Sequence, residues 1–119
     1  IYDRTGLVLD AYFSATKLAW LLEQAKKEMD PPVDFDQVLA GTIDSWVLWN
    51  LTGRQVHATD HSNASRTMLL NIASGQWDDT LLSLFDIPPH MMPAIKPSIG
   101  VFGHTDPKLF GAEIPITAI

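Results

Sequence analysis

Apolar residues in this chain form helical and strand-like segments, and eight prolines break them. Leu18, Leu21, Leu22, Ala25 and Met29 lie three and four apart, the spacing of one helix face. Ser14 is a residue type that caps helices. Lys26 and Lys27 sit late, where cations suit the macrodipole, and Asp30-Pro31-Pro32 ends the run. The pattern predicts a helix from Ser14 to Met29. Asp34 to Gln37 reads as a turn or short helical start. Thr42 or Asp44 can cap a second helix through Trp46, Val47, Trp49 and Leu51, closing at Thr52-Gly53 with Gly53 left-handed. Apolar on most sides, it is expected to be buried.

Shorter elements follow. Arg54 to Ala58 reads as a short strand, and Thr59-Asp60 as the cap of a short helix reaching Arg66. Thr67 to Ile72 reads as a strand. Ala73 to Gln76 is a turn with Gly75 supplying the positive φ. Asp78-Asp79 opens a helix carrying Leu81, Leu82 and Phe85, which Pro88-Pro89 stops. His90 to Met92 reads as one more short turn. Ile99 to Gly103 and Ile114 to Ile119 read as strands, with Pro115 ill-suited to a central position. Gly103 to Ala112 is expected to be a loop. The mixture favours an α/β fold.

Composition narrows the classes of function. The 119 residues suit one domain or part of one, and 46% hydrophobic with 18% charged residues can build a core. The net charge of −6 argues against nucleic acid and anionic membrane surfaces as main partners. With no cysteine, disulfides, thiolate nucleophiles and Cys-based zinc sites are excluded, which suits a cytoplasmic protein. No apolar run approaches the roughly 20 residues of a membrane span. The chain starts Ile1-Tyr-Asp-Arg and ends on an apolar run at Ile119, so it reads as a piece of a larger protein.

Candidate chemistry is sparse. His57, His61, His90 and His104 lack metal-ligand spacing, and solvated or hydrogen-bonded histidines are the simpler reading. Asp44, Asp60, Asp78 and Asp79 fall at helix starts, where a carboxylate caps free N–H groups; Asp86 and Asp106 do not. There is no P-loop and no nucleophile elbow. Asn50-Leu-Thr52 and Asn63-Ala-Ser65 match the glycosylation sequon by chance, the first on a helix expected to be buried. Trp20, Trp46, Trp49 and Trp77 read mostly as core. Arg66 lies among small hydroxyl residues and is expected to crosslink carbonyls or carboxylates more readily than to touch substrate. Tyr12 stands ahead of the first long helix, free of its apolar stripe. It is either a hydrophobic staple or a hydroxyl presented at a cleft.

The run Tyr12-Phe-Ser-Ala-Thr-Lys-Leu-Ala-Trp-Leu-Leu-Glu-Gln24 resembles the first signature of the FGGY carbohydrate kinases, through Tyr12, Ser14, Lys17 and Trp20. Gly41-Thr-Ile-Asp-Ser-Trp-Val-Leu-Trp49, Thr59-Asp-His-Ser-Asn-Ala-Ser-Arg-Thr-Met68, Trp77-Asp-Asp79 and Phe85-Asp-Ile-Pro88 narrow the resemblance to the glycerol-phosphorylating branch. Asn63 to Thr67 discriminates best, since pentulose kinases usually differ there. The resemblance covers essentially the whole chain.

This resemblance implies an actin-like, ribonuclease H-like ATPase fold, with residues 1–119 as the second half of the family's N-terminal domain. It implies transfer of the ATP γ-phosphoryl, with Mg²⁺, to glycerol in a cytoplasmic enzyme that is a homo-oligomer. Tyr12 matches the tyrosine that hydrogen-bonds glycerol. Ser14 and Lys17 match the signature and are expected to cap and to support structure, and Trp20 to pack. The catalytic aspartate is expected just after Ile119, an Arg-Glu pair that binds glycerol before Ile1, and the nucleotide-binding domain outside these residues. The isolated chain is therefore expected to be inactive, with no catalytic and no metal-binding residue of its own. Several positions depart from the family pattern. Ala11 replaces a usual Pro, Ala15 a Gly and His61 a Tyr. Glu113 and Lys108 stand where other members carry a regulatory Arg and a phosphorylatable His. Another FGGY polyol or ketose kinase, or a non-catalytic interaction domain derived from a kinase half-domain, are the alternatives.

Overall fold

The computed structural model describes residues 1–119. The helices are α1 (Tyr2–Thr5), α2 (Ser14–Glu28), α3 (Ile43–Leu51), α4 (His61–Ala64), α5 (Asp79–Leu84) and α6 (Pro107–Phe110). The strands are β1 (Ala58–Asp60), β2 (Leu70–Asn71), β3 (Gln76–Trp77), β4 (Ala94–Lys96), β5 (Ile99–His104) and β6 (Pro115–Ala118). Single 3₁₀ turns lie at Phe35–Gln37 and Pro89–Met91. No helix is long and apolar enough to cross a membrane. The chain divides into two units, Ile1–Ala40 with Ser65–Met92, and Gly41–Ala64 with Pro93–Ile119.

The first unit is built around α2. Ser14 is the helix's first residue and not its cap; Phe13, in extended geometry, holds the cap position without a side-chain bond. A backbone carbonyl does what the hydroxyl was expected to do, since the Ala15 N–H donates to Thr67 O at 2.9 Å. Of the apolar stripe, Leu18, Leu22 and Ala25 are half-buried, while Leu21 and Met29 are exposed. The core gathers Phe13, Ala15, Met68, Leu69, Leu81, Leu82, Ile87 and Met92. The strand expected over Thr67 to Ile72 shrinks to β2, antiparallel to β3 with Leu70 opposite Trp77. Met68 takes φ 64°, and the Thr67 hydroxyl accepts from the Leu69 N–H, so a tight turn consumes the first half of that run. Gly75 has φ 67°, as the turn reading requires.

In the second unit α3 ends as expected. Thr52 is the C-cap, Gly53 is left-handed at φ 61°, and the Arg54 N–H bonds Trp49 O. Burial of α3 is confined to Ser45 and Leu48; Ile43, Trp46 and Val47 are exposed. The expected strand at Arg54 to Ala58 is displaced. Arg54 is itself left-handed at φ 66°, and the Thr52 hydroxyl accepts from the Val56 N–H, folding these residues into a turn. Extended chain begins at β1, which pairs in parallel with β4 through Ala58–Ala94, Thr59–Ile95 and Asp60–Lys96. Such a pair needs a crossover of a dozen or more residues, and residues 61–93 supply the length. Strands β5 and β6 run antiparallel with an irregularity between Ile99 and Gly103, and Pro115 is tolerated at the first residue of β6. Leu48, Ala58 and Phe102 form the core, with Val56, Ile116 and Ile119 against it. The expected loop before β6 contains α6, capped by Asp106, whose carboxylate accepts from the Lys108 N–H. Asp106 is thus a cap after all.

Candidate functional site around Tyr12

Tyr12 and Phe13 are adjacent and go opposite ways. Phe13 is 7% exposed in the core of its unit; Tyr12 is 70% exposed. The local chain enforces the split. The Asp10 carboxylate accepts from the Tyr12 N–H at 2.7 Å and the Asp10 carbonyl from the Phe13 N–H at 3.3 Å, a side-chain-assisted turn. With Phe13 facing inward ahead of α2, Tyr12 faces water. The rings meet edge to face at 5.2 Å and 86°.

Two cations border the exposed phenol. The Arg66 guanidinium lies 5.0 Å from the Phe13 ring centre and 5.9 Å from that of Tyr12. Lys17 Nζ lies 5.9 Å from the Tyr12 ring centre and donates to the Tyr12 carbonyl at 2.8 Å. Arg66 was expected at carbonyls or carboxylates; the groups it faces are rings. Lys17 has the structural role expected of it, one turn into α2. An exposed phenol beside two cations, in a chain of net charge −6, suits a ligand rich in oxygen.

The other candidate residues are engaged elsewhere. Asp78, 5% exposed, caps α5 by accepting from the N–H groups of Thr80 and Leu81 at 3.0 and 3.1 Å. Its second oxygen accepts from Arg4 at 2.7 Å and Asn71 at 2.8 Å. Desolvation pushes its carboxyl upward, but the Arg4, Asn71 and Leu81 hydrogen bonds outweigh it and bring the pKa down to about 2. Asp60 is buried, and its carboxylate accepts from Ser98 Oγ and from the N–H and side-chain amide of Asn63. Burial opposes its ionisation, yet those bonds hold its pKa below the ordinary value. Asp44 accepts from the Thr59 hydroxyl at 2.6 Å. Asp79 lies in the first turn of α5, and Asp86 is exposed at φ 53°.

His90 is exposed with a ring nitrogen 3.1 Å from Phe35 O, and His57 packs edge-on against Trp49 at 6.1 Å. His61 and His104 are exposed. Nowhere do three His, Cys, Asp or Glu side chains converge as a metal site would need. Trp20 and Trp46, expected in the core, are exposed, at 58% and 62%. Trp20 instead lines a groove of about 520 Å³ with Thr16, Leu22, Glu23, Lys26 and Phe85. Tyr12 is not part of that groove.

A sequence model of the FGGY family of carbohydrate kinases, N-terminal domain, matches residues 1–119. A glycerol kinase of Acaryochloris marina is 67% identical over the whole chain, which spans 24% of that relative's length. The crystal structure of Plasmodium falciparum glycerol kinase with ADP superposes with a TM-score of 0.87 at 34% identity, covering 98% of this chain and 23% of that one. A xylulose kinase from Rhodospirillum rubrum shares the fold, with a TM-score of 0.76 at 21% identity, covering 98% of this chain and 24% of that one. The mixed helix and strand architecture is a small part of the actin-like ATPase fold of these kinases, and the chain belongs to the FGGY family of carbohydrate kinases as N-terminal-domain sequence.

Proposed function

We propose that residues 1–119 are part of the N-terminal domain of a glycerol kinase, which transfers the γ-phosphoryl of ATP to a terminal hydroxyl of glycerol, giving sn-glycerol 3-phosphate. The observation that carries this reading is end-to-end identity of 67% with a relative named glycerol kinase. The role proposed for this chain is to hold the acceptor. The Tyr12 hydroxyl, exposed beside Lys17 and Arg66, hydrogen-bonds a glycerol hydroxyl and helps fix which carbon faces the nucleotide. Positioning matters because phosphoryl transfer asks little covalent chemistry of the protein.

ATP and Mg²⁺ belong to this reading as the phosphoryl donor and its charge-neutralising partner. No acidic cluster in this chain fits the metal, so no residue here is assigned to it. The catalytic aspartate and the nucleotide domain are assigned to other parts of the enzyme, a cytoplasmic homo-oligomer, and the isolated 119 residues transfer no phosphate. The test is glycerol-dependent ADP release by the full-length protein, with Tyr12→Phe alongside. The parent should turn over with glycerol, and Tyr12→Phe should raise KM several-fold, since one neutral hydrogen bond contributes about 1 kcal/mol. Turnover with a ketose but not glycerol would refute the substrate. An unchanged KM in Tyr12→Phe would refute the residue.

A further inference from the structure

Tyr12 has a physical difficulty as a binding residue. A side chain 70% exposed to water is free to leave any single orientation, and fixing it only when a ligand arrives would weaken binding. The surroundings of the ring counter this. Phe13 is anchored in the core and meets Tyr12 edge to face. The Arg66 guanidinium covers Phe13 at 5.0 Å and reaches Tyr12 at 5.9 Å, so one cation spans both rings. Arg66 comes from a segment 54 residues further along the chain. It is held in register by the bond from the Ala15 N–H to the carbonyl of Thr67, its chain neighbour. Lys17 closes the far end by bonding the Tyr12 carbonyl at 2.8 Å and placing its ammonium 5.9 Å from the ring centre.

We propose that Arg66 is a positioning residue that orders the Tyr12 ring for acceptor binding, with Lys17 as its local counterpart; this rests on the reading that the Tyr12 hydroxyl binds glycerol. Arg66 acts through the ring and needs no contact with substrate. Its loss removes binding common to ground and transition states, so KM rises while kcat holds. An exposed cation–π contact corresponds to roughly a two- to fivefold change in affinity. A lysine keeps the charge but not the broad, delocalised guanidinium that reaches both rings, so Arg66→Lys should recover part of the effect and Arg66→Gln none.

The experiment is a double-mutant cycle in the full-length protein, with steady-state kinetics for glycerol on wild type, Tyr12→Phe, Arg66→Ala and the double variant. Thermal melts confirm that each is folded. The expected result is a raised KM in both single variants and a double variant whose KM rises by less than the product of the two, because Arg66 has no hydroxyl left to orient. If Tyr12→Phe raises KM and Arg66→Ala does not, the positioning role is overturned while the glycerol reading stands. If the effects multiply independently, Arg66 acts elsewhere and the proposal fails. If Tyr12→Phe changes nothing, the glycerol contact falls and this proposal with it. Should Arg66→Ala not fold, Arg66→Gln and Arg66→Lys carry the same comparison. Equal KM values for both and wild type would then overturn the proposal.

Discussion

Replacing Asp78 by Asn tests whether one carboxylate ties the first unit together. Its oxygens take four hydrogen bonds from three places in the chain: Arg4, Asn71, and the first turn of α5. An asparagine can still accept from Thr80 and Leu81, but its amide then points donors at the donors of Arg4 and Asn71. The fall of the Asp78 pKa from 3.8 to about 2 corresponds to on the order of 2 kcal/mol of folded-state preference for the charged form. The buried mismatch adds about 1 kcal/mol. Local stability of α5 should therefore drop by about 2–3 kcal/mol, or roughly 30- to 160-fold in the opening equilibrium. Amide exchange of residues 79–85 in the full-length protein reads this directly at neutral pH. Acid adds a signed check. A depressed folded-state pKa contributes stability in full above pH 3.8, and this is lost as pH falls from there towards about 2. Wild type should lose that increment on acidification and Asp78→Asn should lack it. Exchange within threefold of wild type, with an unchanged acid profile, would refute the account.

Two further outcomes concern the second unit. Gly53→Ala puts a Cβ on a residue at φ 61° and 2.9 Å from an Asp106 carboxylate oxygen, so exchange at the end of α3 should quicken by an amount corresponding to about 1–2 kcal/mol. Ser98→Ala removes the hydroxyl that donates to the buried Asp60 carboxylate, costing about 2 kcal/mol at neutral pH. Because the Asp60 pKa is held low, its contribution is present above the ordinary carboxylate range and is lost in acid. A urea series at several pH values should show the Ser98→Ala penalty shrinking as pH falls below that range.

What could be read from the sequence divides by range. Features set within a few residues were legible: the body and end of α2, the left-handed Gly53, the Gly75 turn and the Asp78 cap. Where a hydroxyl bonded its own neighbourhood, the periodic pattern misled. Thr67 and Thr52 each fold the chain into a turn where the sequence suggested a strand. Burial was less legible still. Apolar periodicity reports that a face is apolar and not what covers it, so Trp20, Trp46 and Val47 were expected inside and lie exposed. At the candidate site, Tyr12 was recognised through its place ahead of α2 and its resemblance to a signature. Lys17, five residues on, carried a faint local signal. Arg66 stood out for its small hydroxyl neighbours, but its ring partners could not be read, because a contact across 54 residues has no period to betray it.

The division between Tyr12 and Phe13 makes the two readings of the aromatic pair separable by experiment. A staple at a helix start would bury its ring, and truncating it would cost stability; a ligand-facing ring would cost binding instead. Phe13, 7% exposed among Ala15, Met68 and Leu81, has the staple's environment, so Phe13→Ala should destabilise by about 3–5 kcal/mol. Tyr12 is 70% exposed and contributes the edge-to-face contact and two long cation–π contacts, so Tyr12→Ala should cost about 1 kcal/mol or less. Urea melts of the two variants and their affinities for glycerol should therefore order oppositely. Phe13→Ala loses the fold first; Tyr12→Ala keeps the fold and loses the ligand. Equal destabilisation by both truncations would mean that Tyr12 is part of the packing. Its exposed hydroxyl would then be incidental, and the site would have to be sought elsewhere in the protein.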